Sequence, residues 1–123
     1  MADKVPAQAW YEYLASFGYS AYDENTVPED ASFPRITYSW AESGFESPVS
    51  ISASLWDYSM RWDIISQIAD RIYADIGDGG KIIPFTGGYI WAKRGAPFSQ
   101  RVTDPNDAIR RILINFAIEF FRK

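Results

Sequence analysis

The C-terminal segment AIRRILINFAIEFFR constrains the fold of this chain more than any other part of the sequence. Isoleucine and phenylalanine occupy every second position from Ile112 to Phe120, and the positions between them carry mixed side chains. A helix formed by this segment would be apolar on nearly every side, whereas a strand separates the residues into two faces. We therefore predict a strand at about residues 109–121, in the centre of a sheet, because an exposed edge this apolar would promote aggregation.

Two earlier segments, FPRITYSWAE and PVSISASLWD, alternate in the same way. In the first, Ile36, Tyr38 and Trp40 share one face, and in the second the apolar residues alternate with serines. The intervening SGFES is typical of a turn, so we predict an antiparallel hairpin. The serines at 50, 52 and 54 are expected on its outward side, and no base nearby in the sequence would activate them as nucleophiles.

Helical spacing of apolar residues predicts an N-terminal helix at about residues 6–17 and a main helix at about 59–76, with Ser59 as the cap of the second. The polar segment at about 20–32 is predicted to be an exposed acidic loop. KIIPF and YIWAKR, joined by TGG, are predicted as two short strands. The glycine pairs match no nucleotide-binding pattern and are interpreted as turn residues.

These elements predict one domain, residues 1–123, of the α+β class. We expect a mostly antiparallel sheet of about four to six strands with both helices packed on one face. The other face would then carry the serine and threonine positions together with aromatic residues. Such a face is expected to serve in association with other proteins.

Composition narrows the possible functions. The chain has neither histidine nor cysteine, so it cannot supply a Ser-His-Asp or Cys-His triad or a thiolate zinc site. Its net charge of −4 argues against a surface devoted to nucleic acid. Aromatic residues make up 17% of the chain, which is more than one small core encloses easily, so some are expected at a partner surface. No segment approaches the roughly 20 apolar residues of a membrane span, and we expect no membrane association.

Carboxylates leave one enzymatic alternative. Asp57 and Asp63 lie near the start of the main helix, where a hydrolase could use them, with or without a divalent cation. Helix capping alone would place them there as well. The carboxylates of the acidic loop do not follow the spacing of an EF-hand. We therefore predict no catalytic residue, no metal site and no cofactor.

The segment WAKRGAPFSQRVTDPND places basic and amide side chains around a Gly-Ala-Pro turn. We interpret it as a hairpin tip held by Gly95 and Pro97, with Arg94 and Arg101 paired to carboxylates of a neighbouring subunit or of the same fold. A solvated hairpin tip without a partner is the alternative. The candidate contact residues are Lys93, Arg94, Phe98, Gln100, Arg101, Arg110, Trp56, Tyr22, Glu24 and Glu29.

Three segments in order cover nearly the whole chain: SFGYSAYDENTVPEDASFPRITYSW, SLWDYSMRWDIISQIADRI and GGYIWAKRGAPFSQRVTDPNDAIRRILINFAIEFF. Their order, and the phrases WD.S..W and KRG.PF.QR within them, resemble the tail terminator or tail-completion proteins of tailed phages and prophages, sometimes grouped with head-to-tail joining components. The resemblance implies a structural, non-enzymatic protein with a sheet flanked by helices. It implies a ring, commonly a hexamer, on the last ring of the tail tube, where it stops growth and docks to the neck.

The same resemblance implies the partners: further copies of the chain, the tail tube protein, neck or head-completion proteins and, in a contractile tail, the sheath protein. DNA would pass through the ring without specific binding, and the protein would be assembled in the host cytoplasm and reside at the head-proximal end of the virion tail. A neck or head-closure connector is the alternative within this class. A single-stranded nucleic-acid-binding module that uses aromatic residues with Arg94, Arg101, Arg110 and Arg111 is the alternative outside it.

Overall fold

The C-terminal segment forms the central strand of a six-stranded sheet. A computed structural model describes residues 3–45 and 47–123. The sheet order is β1-β2-β3-β6-β5-β4, so the predicted central position of the last strand is confirmed. The elements in chain order are α1 (Pro6–Ala15), β1 (Ser20–Asp23), β2 (Arg35–Tyr38), β3 (Val49–Tyr58), α2 (Asp63–Ile76), β4 (Lys81–Phe85), β5 (Gly88–Val102) and β6 (Ile109–Arg122).

The sheet is mixed. The neighbours β2 and β3, β3 and β6, β5 and β6, and β4 and β5 are antiparallel, which confirms the predicted hairpin, but β1 pairs parallel to β2. The predicted α+β class with two helices is therefore confirmed, and the prediction of an exposed loop over 20–32 is wrong for its first four residues. Ala21 pairs with Ile36 and is buried, and this burial holds a short strand within an otherwise polar segment.

Both helices cover the same face of the sheet. Ile112, Phe116 and Phe120 of β6 point toward the helices, as their alternation predicts. The indole of Trp10 on α1 meets the Phe116 ring edge-on, with 4.9 Å between centroids. Apolar side chains spaced along α2, including Ile65, Ile68 and Ile72, are buried in the same core cluster.

The predicted helix ends need correction. α2 begins at Asp63 and not at residue 59, because Ser59 is bonded elsewhere: its backbone N–H donates to the carbonyl of Ala108, at 2.8 Å, and its hydroxyl accepts from the Arg61 N–H, at 3.0 Å. Ser59 is therefore not the cap. α1 ends at Ala15, two residues before the predicted end at 17. The last strand extends one residue beyond the predicted 109–121.

The Gly-Ala-Pro segment is not a hairpin tip. β5 continues through it from Gly88 to Val102, and its pairing with β6 is interrupted only between Arg94 and Ser99. Gly95 lies so close to β6 that an added Cβ would stand 2.8 Å from the backbone of Asn115. The Asn115 side chain donates to the carbonyl of Pro97 at 3.0 Å and bridges the interruption. A bulge within one long strand therefore replaces the predicted turn.

A hydrogen bond between the helices leads to a prediction for alkaline pH. The Tyr13 hydroxyl of α1 donates to the Asp75 carboxylate of α2 at 2.8 Å. Burial, and then the neighbouring Asp75, raise the pKa of Tyr13 well above its ordinary value of about 10. Above pH 10 the unfolded chain therefore loses this proton while the folded chain keeps it. Stability must fall as pH rises beyond 10, by up to about 1.4 kcal/mol per pH unit for this group.

We expect the Tyr13→Phe variant to be about 1 kcal/mol less stable than the wild type at pH 7, because one hydrogen bond is lost. From pH 10 upward its stability should decline less steeply, so that the two curves converge. Burial also raises the pKa of Tyr38, which contributes equally in both chains. Urea unfolding at several pH values measures the slopes, with Tyr58→Phe as the control, since Tyr58 is 60% exposed. Parallel curves for Tyr13→Phe and the wild type would contradict this assignment.

Candidate functional site

The helices leave one face of the sheet uncovered, and we call it the open face. It is formed by the residues of β6 that alternate with the helix-facing ones, and by their cross-strand neighbours. Most of its large side chains are half-buried, so they pack against one another and still present surface. Its main residues are Tyr22, Arg35, Thr37, Ser52, Ser54, Trp56, Tyr89, Trp91, Lys93, Gln100, Arg111, Leu113, Asn115, Ala117, Glu119 and Phe121.

Three side chains form a row across neighbouring strands of the open face. Trp56 of β3 pairs in register with Arg35 of β2 on one side and with Arg111 of β6 on the other. We call this set the Trp56 row. It alternates a guanidinium, an indole and a guanidinium at the spacing of adjacent strands, about 5 Å per step.

Hydrogen bonds hold the central part of the Trp56 row in place. The indole N–H of Trp56 donates to the Thr37 hydroxyl at 2.8 Å, and the Arg111 Nε donates to the Ser54 hydroxyl at 3.0 Å. The Arg111 guanidinium carbon lies 4.7 Å from the centroid of Trp56, within the range of a cation–π contact. Hydroxyl groups that the alternating sequence placed on the outward side therefore serve to orient an indole and a guanidinium.

Arg35 is oriented from the other side. Its guanidinium carbon lies 4.2 Å from the centroid of Phe33, and its Nη1 donates to the carbonyl of Ala31 at 2.9 Å. The Nε of Arg35 is buried and has no hydrogen-bond partner among the residues that the structure describes. Within those residues neither Arg35 nor Arg111 pairs with a carboxylate.

A second aromatic cluster occupies the opposite corner of the open face. Tyr89 and Phe121 stack with their centroids 5.1 Å apart, and Trp91 lies 6.2 Å from Phe121. The Trp91 indole N–H donates to the carbonyl of Gly79 at 2.9 Å, which fixes the ring. The Lys93 ammonium lies 4.1 Å from the Trp91 centroid and 3.2 Å from the Glu119 carboxylate. We call Tyr89, Trp91 and Phe121 the Trp91 cluster; beside it, on the edge strand, Ile82 is 53% exposed.

Mostly small side chains lie between the two aromatic groups on β3 and β6. Ser50 and Ser52 of β3 pair with Ala117 and Asn115 of β6, and Leu113 is the larger apolar residue between these and the Trp56 row. In its strand positions the open face carries three cations, Arg35, Lys93 and Arg111, against the single carboxylate of Glu119. A surface with positive charge in a chain of net charge −4 favours an anionic partner.

The predicted contact residues are divided among several places. Lys93, Gln100, Trp56 and Tyr22 lie on the open face. Arg94 instead lies on the helix side, where its Nε and Nη2 donate to the carbonyl of Tyr73 at 3.1 and 2.7 Å. Its Nη1 bonds to the Asp78 carboxylate at 2.8 Å, so the predicted carboxylate partner of Arg94 belongs to the same fold.

Phe98 belongs to the interior. Its ring meets Tyr73 at 5.2 Å and Phe116 at 6.0 Å between centroids, both nearly edge-on, and it packs against the core. The interrupted pairing of β5 turns this side chain toward the helices. Phe98 is partly buried and packs against α2 and the core, on the helix side of the sheet.

Arg101 and Arg110 converge on Trp62, at the start of α2, with guanidinium carbons 4.4 and 5.6 Å from its centroid. Neither arginine makes an ion pair within residues 3–45 and 47–123, so the predicted carboxylate partner of Arg101 is not found there. The shallow pocket they line also contains Asp104 and Asp107, which offset their charge. Glu24 and Glu29 are exposed beyond β1, in what remains of the acidic loop.

The carboxylates of the hydrolase alternative lie in different environments. Asp57 is buried near the end of β3, and Asp63 begins α2 and pairs with Arg61 at 2.7 Å. In the described part of the chain, no group of three or more potential metal-ligating residues was found. The described helices include none that is long and apolar enough to cross a bilayer.

Arg35 and Trp91 lie on the open face and were not among the predicted contacts. Both lie in alternating segments, and Arg35 shares a side of FPRITY with Thr37, so alternation places it on the outward face. Its proximity to Trp56 and Arg111 depends on the register between three strands.

A scan against protein-family models and a search of curated proteins find no match to this chain.

Proposed function

We propose that this chain is a structural virion subunit: a tail terminator that forms a ring, caps the tail tube and joins it to the head or neck. The observation that carries the proposal is the open face, an uncovered six-stranded surface with two preorganised aromatic groups. Tryptophan, tyrosine and arginine held in fixed positions are the residues that dominate the energetics of protein interfaces. The resemblance of the sequence to tail terminators indicates which assembly the open face would serve, a ring on the tail tube.

Both edges of the sheet favour contacts through its face over edge-to-edge pairing. The edge strand β1 is four residues long, and the edge strand β4 contains Pro84, which cannot donate a backbone hydrogen bond. A ring requires a heterologous contact, in which two different patches of the same subunit meet. The proposed partners are further copies in a ring, commonly a hexamer, the tail tube protein, the neck proteins and, in a contractile tail, the sheath.

The proposal is tested with tail tubes assembled from the cognate tube protein. The purified chain should bind tube ends, stop their growth and appear as a ring in electron micrographs. We expect Trp91→Ala to weaken end binding by about 30-fold or more, because it removes a large, preorganised aromatic contact. Tyr11→Ala is the matched control, since Tyr11 is 42% exposed on the helix layer, away from the open face. A chain that stays monomeric and never binds tube ends would contradict the proposal.

A neck or head-closure connector is the second candidate in this class, and it would use the same surface. The two differ in position: a connector binds the head-proximal side of an already capped tail and leaves the length of free tubes unchanged. Adding the chain during tube growth therefore separates them, because only a terminator shortens the tubes.

Single-stranded nucleic-acid binding is favoured by one observation, the Trp56 row, which combines cations with an aromatic ring. Of the four arginines first considered for this role, only Arg111 lies on the open face, and Arg94 is bonded within the fold. Fluorescence anisotropy with a labelled oligo-dT tests it. An affinity that falls steeply with salt and is lost in Arg111→Glu would support this alternative.

A further inference from the structure

We propose that the Trp56 row receives the acidic segment Glu24–Asp30 of an adjacent copy of this chain, in the head-to-tail contact that closes the ring. The inference rests on the ring-forming function proposed above and names the two patches that meet. The receiving patch consists of Arg35, Trp56 and Arg111. The inserted patch consists of Glu24, Glu29 and Asp30.

The receiving patch has charge that its own chain does not neutralise. Arg35 and Arg111 make no ion pair in the described part of the chain, although both are half-buried and held by hydrogen bonds. The buried Nε of Arg35 has no acceptor among the same residues. A half-buried guanidinium forms strong, charge-assisted hydrogen bonds with a carboxylate. A carboxylate of a partner is therefore a favourable ligand for this patch.

The inserted patch carries negative charge that its own chain does not neutralise. Glu24, Glu29 and Asp30 are exposed, and none has a cationic partner within residues 3–45 and 47–123. Backbone hydrogen bonds shape the segment: the Glu24 N–H donates to the carbonyl of Tyr38, and the Ala31 N–H to that of Pro28. The three carboxylates are thus presented on a chain segment with local structure, which lowers the entropy lost on binding.

The two patches occupy different parts of the subunit. The acidic segment follows β1 at one edge of the sheet, whereas Arg111 lies on the central strand β6. In its own chain the carbonyl of Ala31, the residue that follows the segment, accepts a hydrogen bond from Arg35 at 2.9 Å, and among the described residues no carboxylate of the segment pairs with the row. A contact between two different patches is heterologous, and repeating it generates a closed ring or a filament. Charge complementarity and geometry therefore identify a second copy as the occupant.

Two charge-reversed chains test this contact. One carries Glu24→Lys, Glu29→Lys and Asp30→Lys, and the other carries Arg35→Glu and Arg111→Glu. Each chain alone would place like charges at every contact, so we expect its self-association to weaken by about 30-fold or more. Mixed in equal amounts, they restore opposite charges at every contact, but only when the two chains alternate. Native mass spectrometry should then detect even-numbered rings with equal numbers of each chain.

Arg61→Glu is the matched control, since Arg61 is an exposed arginine just before α2, outside the open face, and this variant should assemble like the wild type. Thermal melting establishes that each variant is folded. Arg111→Gln replaces the reversed chain if the latter unfolds, because it keeps a hydrogen-bond donor near Ser54 without the charge. It should weaken self-association by about 10-fold or more. Wild-type assembly by the folded glutamine variant would overturn the contact.

The remaining outcomes separate this contact from the proposed function. If the wild type forms rings and either reversed chain alone does so equally well, or the mixture does not assemble, the contact is wrong and the function stands. If the wild type never associates, both fail. If the alternating ring forms but does not cap tubes, only the terminator function fails. Oligo-dT binding that depends on Arg111, with assembly unchanged in Arg111→Glu, would assign the row to nucleic acid instead.

Discussion

Trp10→Ala is expected to lower the free energy of unfolding by about 3–5 kcal/mol, the largest loss of any single substitution considered for this chain. Trp10 is completely buried, and its ring meets three aromatic neighbours: Phe116 at 4.9 Å, Tyr13 at 5.5 Å and Trp40 at 6.4 Å. Truncation removes the apolar contacts that hold α1 on the sheet and leaves a cavity that the paired strands cannot close.

Trp10→Phe separates the contribution of the buried ring from that of the indole N–H. The indole Nε1 of Trp10 is buried and has no hydrogen-bond partner among the described residues, so phenylalanine removes an unsatisfied donor as well as some volume. We expect this variant to lose less than about 2 kcal/mol. Urea unfolding followed by far-UV circular dichroism measures both, with exposed Tyr11→Ala expected within about 0.5 kcal/mol of the wild type. Equal losses for Trp10→Phe and Trp10→Ala would contradict this account, because they would show that the indole N–H, and not the volume of the ring, stabilises the fold.

Arg94→Ala is expected to cost about 2 kcal/mol, although arginine is ordinarily a surface residue. The Arg94 guanidinium donates twice to the carbonyl of Tyr73, at the end of α2, and lies over the Tyr73 ring at 3.3 Å. It therefore joins β5 to the last turn of the main helix, where a cation is favourable, although the Tyr73 carbonyl also accepts from the Gly77 N–H at 3.2 Å.

Asp78→Ala is the control for the Arg94 experiment. The Asp78 carboxylate bonds to Arg94 but is fully exposed, so we expect a change close to zero. Arg94→Lys keeps the charge and loses the paired donors, and it should fall between the wild type and alanine. If Asp78→Ala and Arg94→Ala were equally destabilising, the ion pair and not the helix end would be the stabilising contact. Replacing Arg94 with glutamate is consequently a poor test of assembly, since it also weakens the fold.

Alternation and helical spacing were sufficient to predict most of the secondary structure. Strands β2, β3 and β6, the two helices and the central position of the last strand are confirmed, because each depends on where apolar residues recur along a continuous segment. The outward direction of Ser52, Ser54 and Trp56 followed from the same alternation. A residue's face within a strand is a local property, and local properties can be obtained from the sequence.

The wrong predictions concern segments whose structure depends on pairing with another strand. Ser20–Asp23 is too short and polar to indicate a strand, and it is one only because β2 provides a parallel edge and Ala21 becomes buried. The Gly-Ala-Pro segment has the composition of a turn, but pairing on both sides with β6 and the bond from Asn115 keep it within β5. Hydrogen bonds to a strand remote in sequence outweighed the local turn preference.

Periodicity and composition were enough to predict an α+β fold with a central apolar strand, two helices and a surplus of aromatic residues. Which polar residues meet depends on the tertiary structure. Arg94, first considered a surface contact, is bonded to Tyr73, while Arg35, Trp56 and Arg111, distant in sequence, form a row across three strands. Register between strands sets these neighbours, and register results from the packing of the whole sheet against its helices.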